Sequence, residues 1–241
     1  MKILITINDV RKYRQLGKQV NQDNFDGIAR EIQENELTEL LGESLSYDLF
    51  NYLDNDWIVE TGTFTRNSDY QFTATALDLS SWAGYAIRVN SDTFVIVKTA
   101  VFGGTDTIVT VEGYVLPETL TTIEYKTENN YIKLLNGANY TVNSSTIKYN
   151  GLRPYISWKF LAIYTTEGSV KQSDVGNISI MPENARRPSG NDLNSAKSIR
   201  LQNSLREYNR IVNYLNENSD IFPLWKQKGG ENITNLEMII I

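Results

Sequence analysis

Four glutamates, Glu31, Glu34, Glu36 and Glu39, come nearest to a reactive constellation in this chain. Glu36 and Glu39 are three residues apart and can share a helix face, where two carboxylates can hold a metal or trade a proton. Helical bundles that use such pairs take Glu-x-x-His motifs from their other helices. This chain has no histidine and no cysteine. Imidazole and thiolate metal sites, catalytic His and Cys, and disulfides are thereby excluded. What remains is chemistry by carboxylates, Ser, Thr, Lys or Tyr, and hard cations held by oxygen. The glutamates read as solvated helix surface. Asp174, Asp192 and Asp220 fit no calcium-loop spacing. Ser195 with Lys197, and Ser198 with Lys197, miss the Ser-x-x-Lys spacing. Gly103-Gly104 runs into Thr105-Asp106 with no lysine behind it, so it reads as a hairpin turn rather than a phosphate cradle. The expectation is a protein that is not an enzyme, with no catalytic, cofactor-binding or metal residues and no cofactor.

The remaining candidates are contact residues. Arg186, Arg187, Lys197, Arg200, Arg206 and Arg210 form a basic series, and Arg206 and Arg210 lie one helical turn apart. Such a face can serve solubility, meet a neighbour's carboxylates, or line a path for DNA phosphates. Trp225 beside Phe222 reads as a docking patch. Met238-Ile239-Ile240-Ile241 reads as a strand or plug for another surface. The net charge of -6 does not advertise nucleic-acid binding. Charge is uneven, however: residues 1–55 carry six basic and ten acidic side chains, and residues 136–241 carry twelve and nine. Opposed faces of this kind suit a protein that meets copies of itself or a negatively charged partner.

The elements that position these residues change period twice. Phe25, Ile28, Ala29, Ile32, Leu37, Leu40 and Leu41 recur at helical spacing with one slip, and Gly42 ends the run. Ser44 to Leu53 predicts a second helix. From Trp57 the pattern becomes short alternating runs split by Gly, Asn, Asp and Ser, which predicts a small antiparallel sandwich or barrel. Residues 3–7 are β-prone. Asn136-Gly137 predicts a turn, and the runs beside Asn143-Ser144-Ser145 a hairpin. Tyr155 to Tyr164 is apolar around most of a helix, so it is central, buried on several sides or covered by a neighbouring subunit. Residues 169–191 read as a long connection before a last helix that reaches about Asn216.

The fold class expected is α+β: a bundle of about four helices with an inserted antiparallel β-rich domain and an extended C-terminal tail. The domains are 1–55 with 131–225 for the helices, 56–130 for the insertion, and 226–241 for an extended docking tail. The 41% of hydrophobic residues suffices for real cores. No run reaches the length of a membrane span. The opening residues lack an apolar stretch of signal-peptide length. The expectation is a soluble protein used without secretion.

Three stretches carry a resemblance. Ile5-Thr6-Ile7-Asn8-Asp9-Val10, Glu31-Ile32-Gln33-Glu34 and Leu40-Leu41-Gly42-Glu43-Ser44-Leu45-Ser46-Tyr47-Asp48-Leu49 resemble the head-tail connector, or adaptor, proteins of tailed bacteriophages. The nearest likeness is to the group found in phages of Bacteroides-like hosts. Leu134-Leu135-Asn136-Gly137 and Ile147 to Ile156 look like that family's loop into its central helix. The resemblance covers residues 1–55 and about 131–225, and not the β-rich insertion. It implies a structural virion protein, made in the host cytoplasm and placed at the head-tail junction. It implies a homo-oligomeric ring, usually a dodecamer, that joins the portal to a tail or second ring protein. Genomic DNA would pass through without sequence-specific binding, and no membrane is involved. The contact positions implied are Leu40-Leu41-Gly42, Tyr155 to Tyr164 and the loop 169–190. An alternative reading is a carbohydrate-binding or adhesion module on the β-rich domain, whose Tyr, Trp and Asn residues suit sugars.

Overall fold

The slip in the first apolar series has a structural cause. In the computed structural model, α2 (Gln22–Ile32) runs into a π-helical turn (Gln33–Leu37) and then α3 (Thr38–Leu41). A π turn adds one residue to the ladder. It returns Leu37, Leu40 and Leu41 to the buried side that carries Phe25, Ala29 and Ile32. Gly42 stops the run with φ 80°, and its N–H donates to the Thr38 carbonyl at 2.8 Å. α4 (Glu43–Asp54) follows at once, and Ser46 Oγ donates to the Leu37 carbonyl across the joint. Before α2, residues 3–6 form no strand, and the chain is already helical in α1 (Ile7–Arg11). Leu4 and Ile5 are buried there, so their β-prone character serves burial rather than pairing.

The structure describes residues 3–13, 22–90, 94–112, 115–127, 129–167, 171–173, 176–178 and 190–226. They divide into two compact units: Met1–Asn8 with Tyr47–Leu135, and Asp9–Ser46 with Asn136–Ile241. Helix α4 begins in the second of these and runs into the first. The chain is a mixed α+β protein with several helices and antiparallel sheets.

In the first unit, β1 (Ile58–Glu60), β2 (Thr63–Ser68), β3 (Gln71–Thr75), β4 (Ala86–Val89), β5 (Phe94–Phe102), β6 (Thr107–Glu112) and β7 (Ile123–Lys126) form one antiparallel sheet. The order is β1-β7-β4-β5-β6-β3-β2. The last strand enters between β1 and β4, so among the described strands β1 and β2 form the two edges. This corrects the expected sandwich or barrel: there is a single sheet, and its strand order does not close. Irregularities between Val97 and Thr99, and between Arg66 and Ser68, break the register and bend the strands. Phe72, Ile87, Val95, Val109 and Ile123 supply its core, with Trp82 packed among them from a turn of 3₁₀ helix (Ser80–Trp82). A short helix, α5 (Asn130–Asn136), completes the unit. Its Tyr131 ring lies 5.3 Å from Tyr52 of α4 and its hydroxyl donates to Asp48.

In the second unit, β8 (Ala138–Val142) and β9 (Ser145–Tyr149) form the expected hairpin. Its two turn residues, Asn143 and Ser144, have φ 47° and 65°, the left-handed pair that a tight hairpin requires. α6 (Leu152–Glu167) packs along the 28-residue α7 (Gly190–Glu217) and against α2. This is not the expected bundle of four helices. The second half of α4 takes Tyr52 to α5, within the sheet unit, so it is not a fourth member. The connection read as residues 169–191 contains a small hairpin, β10 (Lys171–Ser173) with β11 (Gly176–Ile178). The rest of that loop, including Asp174, Arg186 and Arg187, lies outside the described residues, as does the tail beyond Lys226.

Gly137 has φ 102°, and a β-carbon there would stand 2.4 Å from the Tyr149 carbonyl oxygen. Gly137→Ala should lower unfolding free energy by about 3 kcal/mol in a urea titration. Gly27, inside α2 with nothing within 4 Å of its added β-carbon, is the control. Gly27→Ala should raise stability by about 1 kcal/mol.

Candidate functional site

Each candidate side chain can be placed by the element that carries it. In the second unit α6 is enclosed by ring contacts. Phe160 meets Phe25 at 4.7 Å, Trp158 meets Tyr13 at 5.0 Å, and Tyr155 faces Tyr208 at 6.3 Å. Tyr155, Ile156, Phe160 and Leu161 are buried. Of the two readings of this helix, burial within its own unit accounts for these residues.

The glutamates separate. Glu31 and Glu34 are exposed. Glu36 Oε2 lies 2.8 Å from Lys159 Nζ and accepts a hydrogen bond from Tyr155 Oη at 3.3 Å. A carboxylate held by a cation and a phenol across two helices is a packing device. Among the described residues, no group of three or more acidic side chains is placed to hold a metal ion. Gly103-Gly104 forms the turn between β5 and β6, where the Gly103 N–H donates to the Asp106 carbonyl at 2.9 Å.

The basic series on α7 is partly spent. Arg200 Nη1 donates to the Leu161 carbonyl at 2.8 Å, tying α7 to α6. Arg210 Nη1 is 2.5 Å from Glu207 Oε1 on its own helix. Glu207 is buried and also accepts from Asn150 Nδ2 at 3.2 Å. Arg206 is exposed and, among the described residues, reaches only Asn203, at 3.5 Å. The face thus carries two exposed guanidiniums, of which Arg210 is already matched to Glu207.

The patch expected at Trp225 and Phe222 is corrected. Both are buried. Trp225 Nε1 donates to Asn216 Oδ1 at 2.8 Å, and Phe222 meets the Tyr214 ring edge-on at 6.0 Å. α7 ends at Glu217, six residues before Pro223, in a turn where the N–H groups of Ile221 and Phe222 donate to the Asn218 carbonyl, and the chain folds back on α7, which turns these aromatics inward. The side chains left outside are Ile221 and Leu224.

In the sheet unit one cluster of aromatic rings packs on itself, while Tyr70 and Phe102 are exposed. Trp82 and Tyr125 stand 4.8 Å apart, with Tyr85 stacked at 6.0 Å from Tyr125. The outer face of β2, β3, β5 and β6 carries Thr65, Thr73, Ile108 and Val101 in one row across the four strands. Sequence reasoning missed the polar centre of this unit. Lys126 is buried, and its ammonium donates to the carbonyls of Tyr52 and Asn55. Its nitrogen sits 4.0 Å from the Tyr52 ring centre and 5.2 Å from that of Trp57. Arg88 stacks on Trp57 at 4.8 Å and pairs with Glu124. The signal available was a charged residue on an inward-reading strand. What these arrangements do chemically is hold elements together and leave apolar side chains outside.

Among known proteins, the model of a family described as a family of unknown function (DUF6712) matches residues 114–235, from just before β7 to beyond α7. No curated protein and no solved structure matches the chain.

Several tyrosines are sealed by this packing. Tyr13 is pushed up from 10.0 to about 12, chiefly by burial and then by the charges of Glu207 and Asp9. Burial, and then Glu36, raises Tyr155; burial also raises Tyr149. Such groups hold their protons more tightly folded than unfolded. Their contribution to stability is full below pH 10 and is lost as the pH rises through the folded values. In an alkaline titration, tyrosine ionisation by ultraviolet absorbance should lag behind that of free tyrosine. Its late phase should coincide with loss of helical circular dichroism near or above pH 12. Complete ionisation near pH 10 with the helices intact would contradict the packing described.

Proposed function

We propose that this chain, which belongs to the family of unknown function DUF6712, is a structural subunit of a ring that joins the portal at a phage capsid vertex to the tail. The observation that carries this reading is where the resembling residues fall. Leu40, Leu41 and Gly42 make the joint between α3 and α4, and Tyr155 to Tyr164 run along the helix that α2 and α7 cover. A subunit built on such a helical wedge needs no reacting centre. It needs two unlike faces, because a closed ring joins each copy head to tail. Twelve copies, the number usual in the resembling family, would continue the DNA channel.

A channel wall must attract DNA weakly, since the genome has to slide. Of the two exposed arginines on α7, Arg210 is matched to Glu207 and Arg206 makes no ion pair among the described residues, which agrees with that constraint. The alternative of a sugar-binding module draws no support from the sheet. Its Trp82, Tyr85 and Tyr125 rings stack on one another instead of forming an outward platform.

Microscopy of intact particles tests the proposal. The expected result is a symmetric ring of this chain at the vertex; two-fold pairs, or no ring, would overturn it. Arg206→Glu should lower particle yield before it slows genome ejection, because a subunit joint excludes water whereas a wide channel leaves the charge screened. Arg210 is unsuitable for the same test, because its reversal would set two carboxylates against each other at Glu207. Ending the chain after Lys228 should leave the melting of the free protein unchanged and reduce its incorporation into particles. Full yield with slowed ejection, or normal incorporation of the shortened chain, would count against these contacts.

A further inference from the structure

Two exposed apolar patches stand on different parts of the sheet in the first unit. The first is the edge strand β1. Ile58 is 50% and Val59 56% exposed, and successive strand residues point to opposite faces. This edge is therefore apolar on both sides, and among the described residues β1 pairs only with β7. The second patch is a cross-strand pair on the outer face: Val101 of β5, 62% exposed, lies directly opposite Ile108 of β6, 44% exposed. The positions beside that pair on the same face, Thr99, Thr110 and Thr73, are uncharged.

The charges at the margins are complementary. Asp56, in the turn that leads into β1, is exposed with φ 59°. Lys98, at the irregularity in β5, is exposed on the margin of the second patch. Among the described residues neither side chain makes an ion pair. The first margin thus offers anions at Asp56 and Glu60, and the second a cation at Lys98. Long apolar edges are ordinarily blunted by a lysine or a charge on the strand itself. β1 carries a charge only at its last residue, Glu60, and none at Ile58 or Val59.

We infer that these patches are the two halves of one joint between copies. The Ile58–Val59 edge of one copy lies on the Val101–Ile108 face of the next, with Asp56 brought to Lys98. The inference rests on the ring reading and adds which surfaces meet. A joint between unlike patches is heterologous, so it propagates around a ring instead of closing as a pair. It is also small. A few β-branched side chains fall well below the roughly 800 Å² per partner of a stable pair. The free chain therefore associates weakly, and the ring gains strength only when many joints close together or on a template.

The absence of cysteine from the sequence makes the test direct. Val59→Cys and Val101→Cys are made singly in the full chain, both at exposed positions. Within one copy the two sites cannot bridge. β7 and β4 lie between β1 and β5, three strand spacings or about 14 Å, and a disulfide needs α-carbons within about 7 Å. Under mild oxidation of concentrated protein, the mixture of the two variants should give cross-linked dimer well above either variant alone. The double variant should give a ladder of higher oligomers. Lys98→Glu should lower the yield, and adding Asp56→Lys should restore it. Equal cross-linking by Val101→Cys alone would mean a two-fold contact and overturn the joint. A ring seen in particles with no 59-to-101 cross-link would also overturn it while leaving the ring reading intact. The specific cross-link without any ring in particles would do the reverse. A chain that stays monomeric at every concentration, with no cross-link in particles, would sink both.

Discussion

The ammonium of Lys126 is the point on which the sheet unit turns. A buried cation without partners costs several kcal/mol. Here it finds the carbonyls of Tyr52 and Asn55, at the end of α4 where backbone acceptors have no helical partner. The partial negative charge of a helix C-terminus favours a cation at that place. The faces of Tyr52 and Trp57 supply further attraction. Trp57 Nε1 satisfies another of these acceptors, the Leu53 carbonyl, at 2.9 Å. The chain can then leave the helix through Asp56 in a left-handed conformation and enter β1 directly. Because Lys126 is on β7, the same contact fixes the strand that holds both β1 and β4. Asn90 does similar work at the other end of β4. Its Oδ1 accepts from the N–H groups of Thr121 and Thr122, and its Nδ2 donates to the Thr119 carbonyl at 2.9 Å.

The helical unit is organised differently, by rings. Tyr149 lies flat against Tyr214 at 4.1 Å, and Tyr214 in turn meets Tyr140 and Phe222. This stack ties the β8–β9 hairpin and the turn after α7 to one stretch of helix. Asp9, buried near Arg153 at 3.8 Å, fixes the start of α6 against α1. Polar and aromatic contacts together set the register in which α6 lies on α7. Hydrophobic burial alone would permit sliding.

Much of this was legible because its causes are local. The late arrival of Leu37 is a π turn, which a count of residues between apolar positions reveals. Gly42 and Asn143-Ser144 announce their turns because few residues tolerate positive φ. Strand content between Trp57 and Tyr125 follows from alternation. What could not be read depends on partners far along the chain. Lys126 reads as an ordinary charge until Tyr52 and Asn55, more than seventy residues earlier, are placed beside it. Trp225 and Phe222 looked outward because nothing local shows that the chain folds back after α7. Sheet closure was misjudged for the same reason. Alternation gives strands but not their order, and here the order is decided by the last strand entering near one edge. Among the contact residues, Tyr155 to Tyr164 were located correctly as central. The exposed apolar pairs on β1 and on β5–β6 were hidden, because which face of a strand is outward is a property of the assembled sheet.

That strand order has a consequence for how the chain is made. Synthesis delivers β1 first and β7 last, yet β7 is the strand that β1 pairs with. Until residue 126 has emerged, β1 has no ladder partner and β4 presents an open edge. The end of α4 lacks its ammonium over the same interval. Roughly seventy residues must be synthesised before the first strand can settle, a long loop to close and a slow class of contact to form. A partly made chain therefore presents Ile58 and Val59 beside unpaired backbone, the combination most apt to capture another nascent chain. The sheet matures as one late event, and its safety during translation depends on how quickly the last strand follows the sixth.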